Sequence, residues 1–86
     1  MKVYSGEEIP QLEKQKCSVV QSEITTGITL AIDGNRHFND SDEPFILIFD
    51  SIEDAREFSI NKIIERPEIE CNIYDHSAKF IERVSK

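Results

Sequence analysis

The sequence predicts an α+β fold: a mostly antiparallel sheet of four to five strands with one main helix, about residues 51–65, packed on one face. Three observations predict it. One helical stripe lies between Asp50 and Pro67, an unbroken apolar run precedes it at residues 45–49, and a period-two alternation follows it from Ile69. Strand, helix and strand, then a return strand, make a carboxy-terminal β-α-β-β unit. With 86 residues, 38% hydrophobic and 31% charged, the chain is too short for two cores of ordinary size and reads as a single domain, 1–86.

In the first half, Val20, Ile24, Ile28, Leu30 and Ile32 share even parity with polar residues at most positions between them, which predicts one common face. Thr26-Gly27 interrupts that run as a bulge or a bend. Asp33-Gly34 is a tight-turn signal leading to a short strand near residues 36–38, so a meander is expected. Residues 5–16 stay open between a short helix started by Pro10 and an irregular edge. Phe45 to Phe49, apolar at every position and preceded by Pro44, has the character of a central strand covered on both faces.

Asp50 or Ser51 can cap the helix, with Glu53 or Asp54 three residues on, and Pro67 stops it. Ile52, Ala55, Phe58, Ser59 and Ile63 recur at helical spacing and define the core stripe. Ile60 and Ile64 lie roughly 100° or more from the centre of that stripe and form a second apolar ridge. That ridge is the candidate interaction surface; a broad core stripe or a covering amino-terminal loop would also account for it.

After the helix, Ile69, Cys71 and Ile73 alternate with Glu68, Glu70 and Asn72 as in a strand with one wet face. A turn at residues 75–78 returns the chain as a final strand over residues 79–84. Pairing Tyr74 with Lys79 sets Ile73 opposite Phe80, Ile69 opposite Val84 and Glu70 opposite Arg83. Glu82 then points inward opposite Cys71, a device that marks an edge strand. A three-residue turn would shift this register.

Seventeen acidic residues against ten basic ones give a formal charge of −7. The pI is near 4.7. Such a chain repels nucleic acid and anionic lipid, so neither is expected as a partner. No run approaches the roughly 18–20 apolar residues of a membrane span. The start, Met1 to Glu8, turns acidic where a signal peptide would become apolar, which points to a cytoplasmic location. Cys17 and Cys71 match neither a CxxC motif nor a zinc spacing and are expected as free thiols.

No catalytic set emerges. The acidic loop with Asp33, Asn35, His37, Asp40 and Asp42 opens like a calcium loop, but Phe38 stands where that loop needs glycine and Pro44 where it needs a bidentate glutamate, so no metal is assigned. A thiol nucleophile would need His37 or His76 beside Cys17 or Cys71, and Cys71 shares the apolar face of its strand. Glu68 and Glu70 lie on the face opposite Glu82, which argues against paired acid–base work. Gly6, Gly27 and Gly34 are isolated and form no phosphate-binding loop, so no cofactor is assigned.

The segment Phe45 to Ile81 resembles small bacterial α+β proteins of unassigned function. The likeness rests on Phe49-Asp50-Ser51-Ile52-Glu53-Asp54-Ala55 followed by Arg66-Pro67-Glu68-Ile69-Glu70-Cys71-Asn72-Ile73-Tyr74-Asp75, and covers under half the chain. It implies a fold and carries over no active site. Tyr74-Asp75-His76-Ser77 departs from the pattern in lacking the turn glycine.

The expected function is a non-enzymatic interaction module, either a homodimer or an acidic accessory protein that docks a basic protein partner. The alternative is a small ligand-binding or enzymatic domain whose site forms across a dimer from Cys17, His37 and the acidic loop, residues 33–43.

Overall fold

The computed structural model describes residues 1–37 and 43–86. Seven elements follow in order: β1 (Lys2–Tyr4), β2 (Cys17–Glu23), β3 (Thr29–Leu30), β4 (Ile46–Phe49), α1 (Ile52–Glu65), β5 (Ile69–Tyr74) and β6 (Phe80–Val84). The strands form one six-stranded sheet in the order β1-β4-β2-β5-β6, with β3 paired to β2 beyond the end of β4. Every pairing is antiparallel. The fold is therefore α+β with one helix on an open sheet. Among the described residues it has six strands rather than four to five, and the one without a sequence signal is the three-residue β1.

The carboxy-terminal β4-α1-β5-β6 unit forms in the expected order. Because β4 and β5 both run antiparallel to β2, they are parallel to each other, yet β2 lies between them. The crossover through α1 thus spans a strand that comes from earlier in the chain.

One face of the sheet packs on the helix. Cys17 and Val19 of β2, Leu47 and Phe49 of β4, and Cys71 and Ile73 of β5 meet Ala55 and Ile63 of α1 in a buried cluster. Ile32, Ile52, Phe58 and Val84 close its margins. The opposite face is also covered: Ser18, Val20, Ser22, Ile46, Ile48 and Asn72 are all buried. Residues 5–16 form no helix, and the Leu12 N–H donates to the His76 carbonyl at 2.8 Å, which ties that connection to the β5–β6 turn. Ser18 Oγ has no hydrogen-bond partner among the described residues, but other polar groups on this face answer one another. Asn72 Nδ2 donates to the Val20 carbonyl at 3.3 Å and to Ser22 Oγ at 3.1 Å, and Arg83 Nε donates to Asn72 Oδ1 at 3.2 Å.

The even-parity reading of residues 20–32 does not hold. Gln21 pairs with Leu30, so the register matches odd positions of β2 to even positions of β3. Val20 therefore faces away from the helix, while Ile32 packs against the helix-side cluster. Parity runs continuously only along one strand, and the reversal at Thr26-Gly27 is a turn with Gly27 at φ +73°, not a bulge. Arg36 contributes a single bridge to Leu30. Phe38, Asp40 and Asp42, which the short strand and the acidic loop would use, lie outside the described residues.

The β5–β6 hairpin has the three-residue turn that shifts the register. The Asp75 N–H donates to the Lys79 carbonyl at 2.8 Å, His76, Ser77 and Ala78 form the loop, and Ala78 adopts φ +65°. Tyr74 then pairs with Phe80, while Ile73 pairs with Glu82 and Cys71 with Val84, so Ile81 is an extra residue in a bulge. Glu82 still faces the helix side, opposite Ile73 rather than Cys71, and β6 is an edge strand.

Candidate functional site

Helix α1 starts at a cap that the sequence dictates. Ser51 takes an extended backbone, and its Oγ accepts the Asp54 N–H at 3.2 Å. Ala55, Ser59 and Ile63 are buried beneath the helix. That orientation turns Ile60 and Ile64 outward, where they are 49% and 66% exposed. No amino-terminal segment covers them to that extent, and the core stripe does not widen to include them.

The ridge lies on the β6 side of α1. Arg56, one turn before Ile60, donates from Nε to Glu82 Oε1 of β6 at 2.8 Å. This is how the inward carboxylate of the edge strand is answered. On the other flank of the helix, the Phe58 ring meets Phe49 of β4 at 5.2 Å. Glu53 and Glu57 share the outer surface with the two isoleucines and are exposed. Among the described residues, no hydrogen bond or ion pair engages their carboxylates.

At the amino end of α1 a pocket of about 410 Å³ opens between the helix, the start of β2 and the β5–β6 turn. Ile52 and Ile81 are among its apolar walls, and Cys17, Lys16, Asp75 and His76 also line it. Cys17 is 2% exposed and its thiol donates to the Ser51 carbonyl at 3.3 Å. Burial, reinforced by the nearby Asp54 and Glu53 carboxylates, pushes this thiol up from its ordinary pKa, so it stays protonated at neutral pH. Such a group is a weak nucleophile. Asp75 is committed to the turn, its Oδ1 accepting from Ser77 N–H, Ser77 Oγ and Lys79 N–H at 2.9, 2.9 and 3.0 Å. Those bonds hold its carboxyl below the usual range.

His37 is not part of this pocket. Its ring tilts against Phe45 at 4.5 Å, and the two line a separate hollow of about 340 Å³ with Glu7 and Thr29. The Cys17–His37 combination is therefore not assembled within one chain. Cys71 is buried in the core, where desolvation raises its pKa. Glu68 pairs with Arg66 at 3.2 Å, Glu70 with Arg83 at 3.5 Å and Glu82 with Arg56, so the three carboxylates belong to separate contacts. Asp33 accepts from the Asn35 N–H and Nδ2 at 3.0 and 3.1 Å, the local bonding of a turn. Among the described residues, no three His, Cys, Asp or Glu side chains gather as a metal site.

Sequence reasoning found Ile60 and Ile64 but not Ile81, which is 45% exposed at the pocket. Strand alternation places residue 81 on the wet face; only the turn length and the resulting bulge bring it to the helix side. The Arg56–Glu82 contact was equally hidden, because it joins residues that are neighbours only once β6 lies beside α1.

The structure thus defines an α+β domain with an acidic helix face bearing an exposed isoleucine ridge. No family model, curated protein or solved structure matches the chain. No described helix is long and apolar enough to cross a membrane.

Proposed function

We propose that this protein is a non-enzymatic interaction module that docks a basic protein partner on the outer face of α1. The observation that carries the proposal is the exposure of Ile60 and Ile64 on a capped, well-packed helix. An isolated exposed aliphatic residue needs no explanation, but two on successive turns of one helix make a contiguous apolar patch. The formal charge of −7, and the free carboxylates of Glu53 and Glu57 beside the patch, favour a partner with lysines or arginines around an apolar contact.

Charge also separates this reading from a homodimer through the same ridge. Two copies repel each other, so a dimer tightens as salt screens them, whereas a complex with a basic partner loosens. The test is retention from a lysate of the source organism at low and at high salt, with sedimentation of the purified protein in the same buffers. A basic protein held at low salt, released at high salt and lost with the Ile60→Ser/Ile64→Ser variant is the expected result. A monomer that retains nothing, or a dimer that strengthens with salt, would contradict it.

A further inference from the structure

We infer that the partner presents an amphipathic helix packed antiparallel along the outer stripe of α1, with apolar side chains against Ile60 and Ile64 and lysines or arginines against Glu53 and Glu57. This rests on the reading just proposed and names its mode of contact. Glu53, Glu57, Ile60 and Ile64 follow one another at steps of four, three and four residues, and all are exposed. At about 100° per residue they fall within an arc of roughly 60°, centred about 130° from the buried Ala55, Ser59 and Ile63. Their spacing is the d-a-d-a alternation of a two-helix seam, with carboxylates in its first heptad and isoleucines in its second.

A helix suits this stripe better than an extended segment. The N–H and C=O groups of α1 are engaged within the helix, so a strand laid along it would keep its own backbone unpaired, whereas a helix arrives with its backbone already bonded. From Glu53 to Ile64 the stripe runs about 16 Å, some three turns.

Charge sets the occupant and its direction. Asp54 adds a carboxylate to the amino half, and the two bases of α1 lie off the stripe. Arg56 is held by Glu82 of β6 at 2.8 Å, and Lys62 lies over the Phe58 ring on the opposite flank. At the amino end, Lys16 pairs with Asp50 at 3.7 Å. Arg83 bonds Asn72 and Glu70 on the far face of the sheet, while Lys79 and Lys86 flank the two ends of β6. The stripe is therefore acidic toward its amino end and apolar toward its carboxy end. A partner helix favours cations in its own last turns, beside its negative end. Those turns meet Glu53 and Glu57 only when the two helices run antiparallel.

A second copy of α1 does not satisfy the full stripe. Laid parallel, it sets Glu53 and Glu57 against their own counterparts; laid antiparallel, it sets them against Ile64 and Ile60.

The test titrates synthetic helix-forming peptides of roughly eighteen residues into the intact nitrogen-15-labelled protein. One peptide carries two leucines in its amino half and two arginines in its carboxy half at the seam spacing. A second exchanges the two pairs, a third sets the same residues out of phase, and a fourth has glutamate in place of arginine. The first should bind best, gain helicity on binding, and lose about tenfold or more in affinity to Ile60→Ser/Ile64→Ser, a variant that keeps the melting temperature. Glu53→Lys/Glu57→Lys should reject the arginine peptide and accept the glutamate one, a gain that misfolding cannot produce. Equal binding by the exchanged peptide overturns the antiparallel orientation. Equal binding by the out-of-phase peptide, or binding by none, overturns helical docking; a basic protein still held from the lysate through Ile60 and Ile64 would then leave the docking face standing. A glutamate peptide that binds the unaltered protein as well as the arginine peptide removes the basic-partner reading itself.

Discussion

Replacing Ala78 with glycine should stabilise the protein. Turn residues of positive φ among the described residues are Gln15 at +81°, Gly27 at +73°, Gly34 at +92° and Ala78 at +65°. The turn from Asp75 to Lys79 repeats the hydrogen bonding of the turn from Ala31 to Asn35. In each, the first N–H donates to the fifth carbonyl, at 2.8 and 2.7 Å, and the fourth N–H donates to the first carbonyl, at 3.1 and 2.9 Å. Ala78 thus holds the position that the matching turn gives to Gly34. A left-handed conformation costs an L-residue about 1–2 kcal/mol. Glycine's extra freedom in the unfolded chain takes back about 0.5–1 kcal/mol. The net gain is about 0.5–1 kcal/mol, or a rise of roughly 2–8 °C in Tm for a domain of this size. Urea and thermal unfolding followed by circular dichroism measure it, with an unchanged denaturant slope confirming that the end states are the same. A loss of about 0.5 kcal/mol or more would refute the three-residue turn and, with it, the bulge that places Ile81.

Four other outcomes follow from the site and its surroundings. Ser51→Ala removes the acceptor for the Asp54 N–H and should cost about 1 kcal/mol in the same unfolding assay; no loss would mean the cap does not hold the helix start. Cys17 should react with an aromatic disulfide reagent at pH 8 only as fast as the fold opens, because its thiol is buried and kept protonated; labelling at the rate of a free thiol would contradict this. Since the folded thiols of Cys17 and Cys71 hold their protons to higher pH than unfolded ones, stability should decline as pH rises above about 8.5, where the unfolded thiols ionise. At the acid end, Glu23, Glu68 and Asp75 have carboxyls held low by hydrogen bonds: Glu23 by Arg36 and Thr26, Glu68 chiefly by its own backbone N–H and then by Arg66, and Asp75 by Lys79 and Ser77. Their contribution is full above about pH 4 and is lost as pH falls through their folded values, so urea midpoints should drop there. An Asp75→Asn variant that leaves this acid dependence unchanged would remove Asp75 from the explanation.

The helix and the strands beside it were legible because each announces itself locally. Ser51 caps, Ile52, Ala55, Ser59 and Ile63 repeat at helical spacing, and the run from Ile46 to Phe49 is apolar at every position because both of its faces are covered. Strand β2 was harder to see. It lies at the centre of the sheet, yet Ser18, Gln21 and Ser22 are buried within it, so its hydrophobic pattern is diluted by polar residues, of which Ser22 bonds to Glu70 and Asn72 of β5. The direction of each face was lost at turns, where residue counting stops being informative: the reversal after Glu23 flipped parity, and the loop at residues 76–78 shifted the β6 register. For the candidate site, helical spacing marked Ile60 and Ile64 as a second ridge, while its exposure is fixed only by how the helix sits on the sheet. Its neighbours Arg56, Glu82 and Ile81 come together only through the position of β6 beneath the helix.

The most direct test of the docking face is a photo-crosslinking side chain placed at Ile64 in living cells of the source organism, with Thr25, an exposed turn residue, as the control position. The proposed function predicts an adduct from position 64 to a distinct protein of net positive charge that is absent from position 25. The same adducts from both positions, or an adduct only to a second copy of the chain, would contradict it.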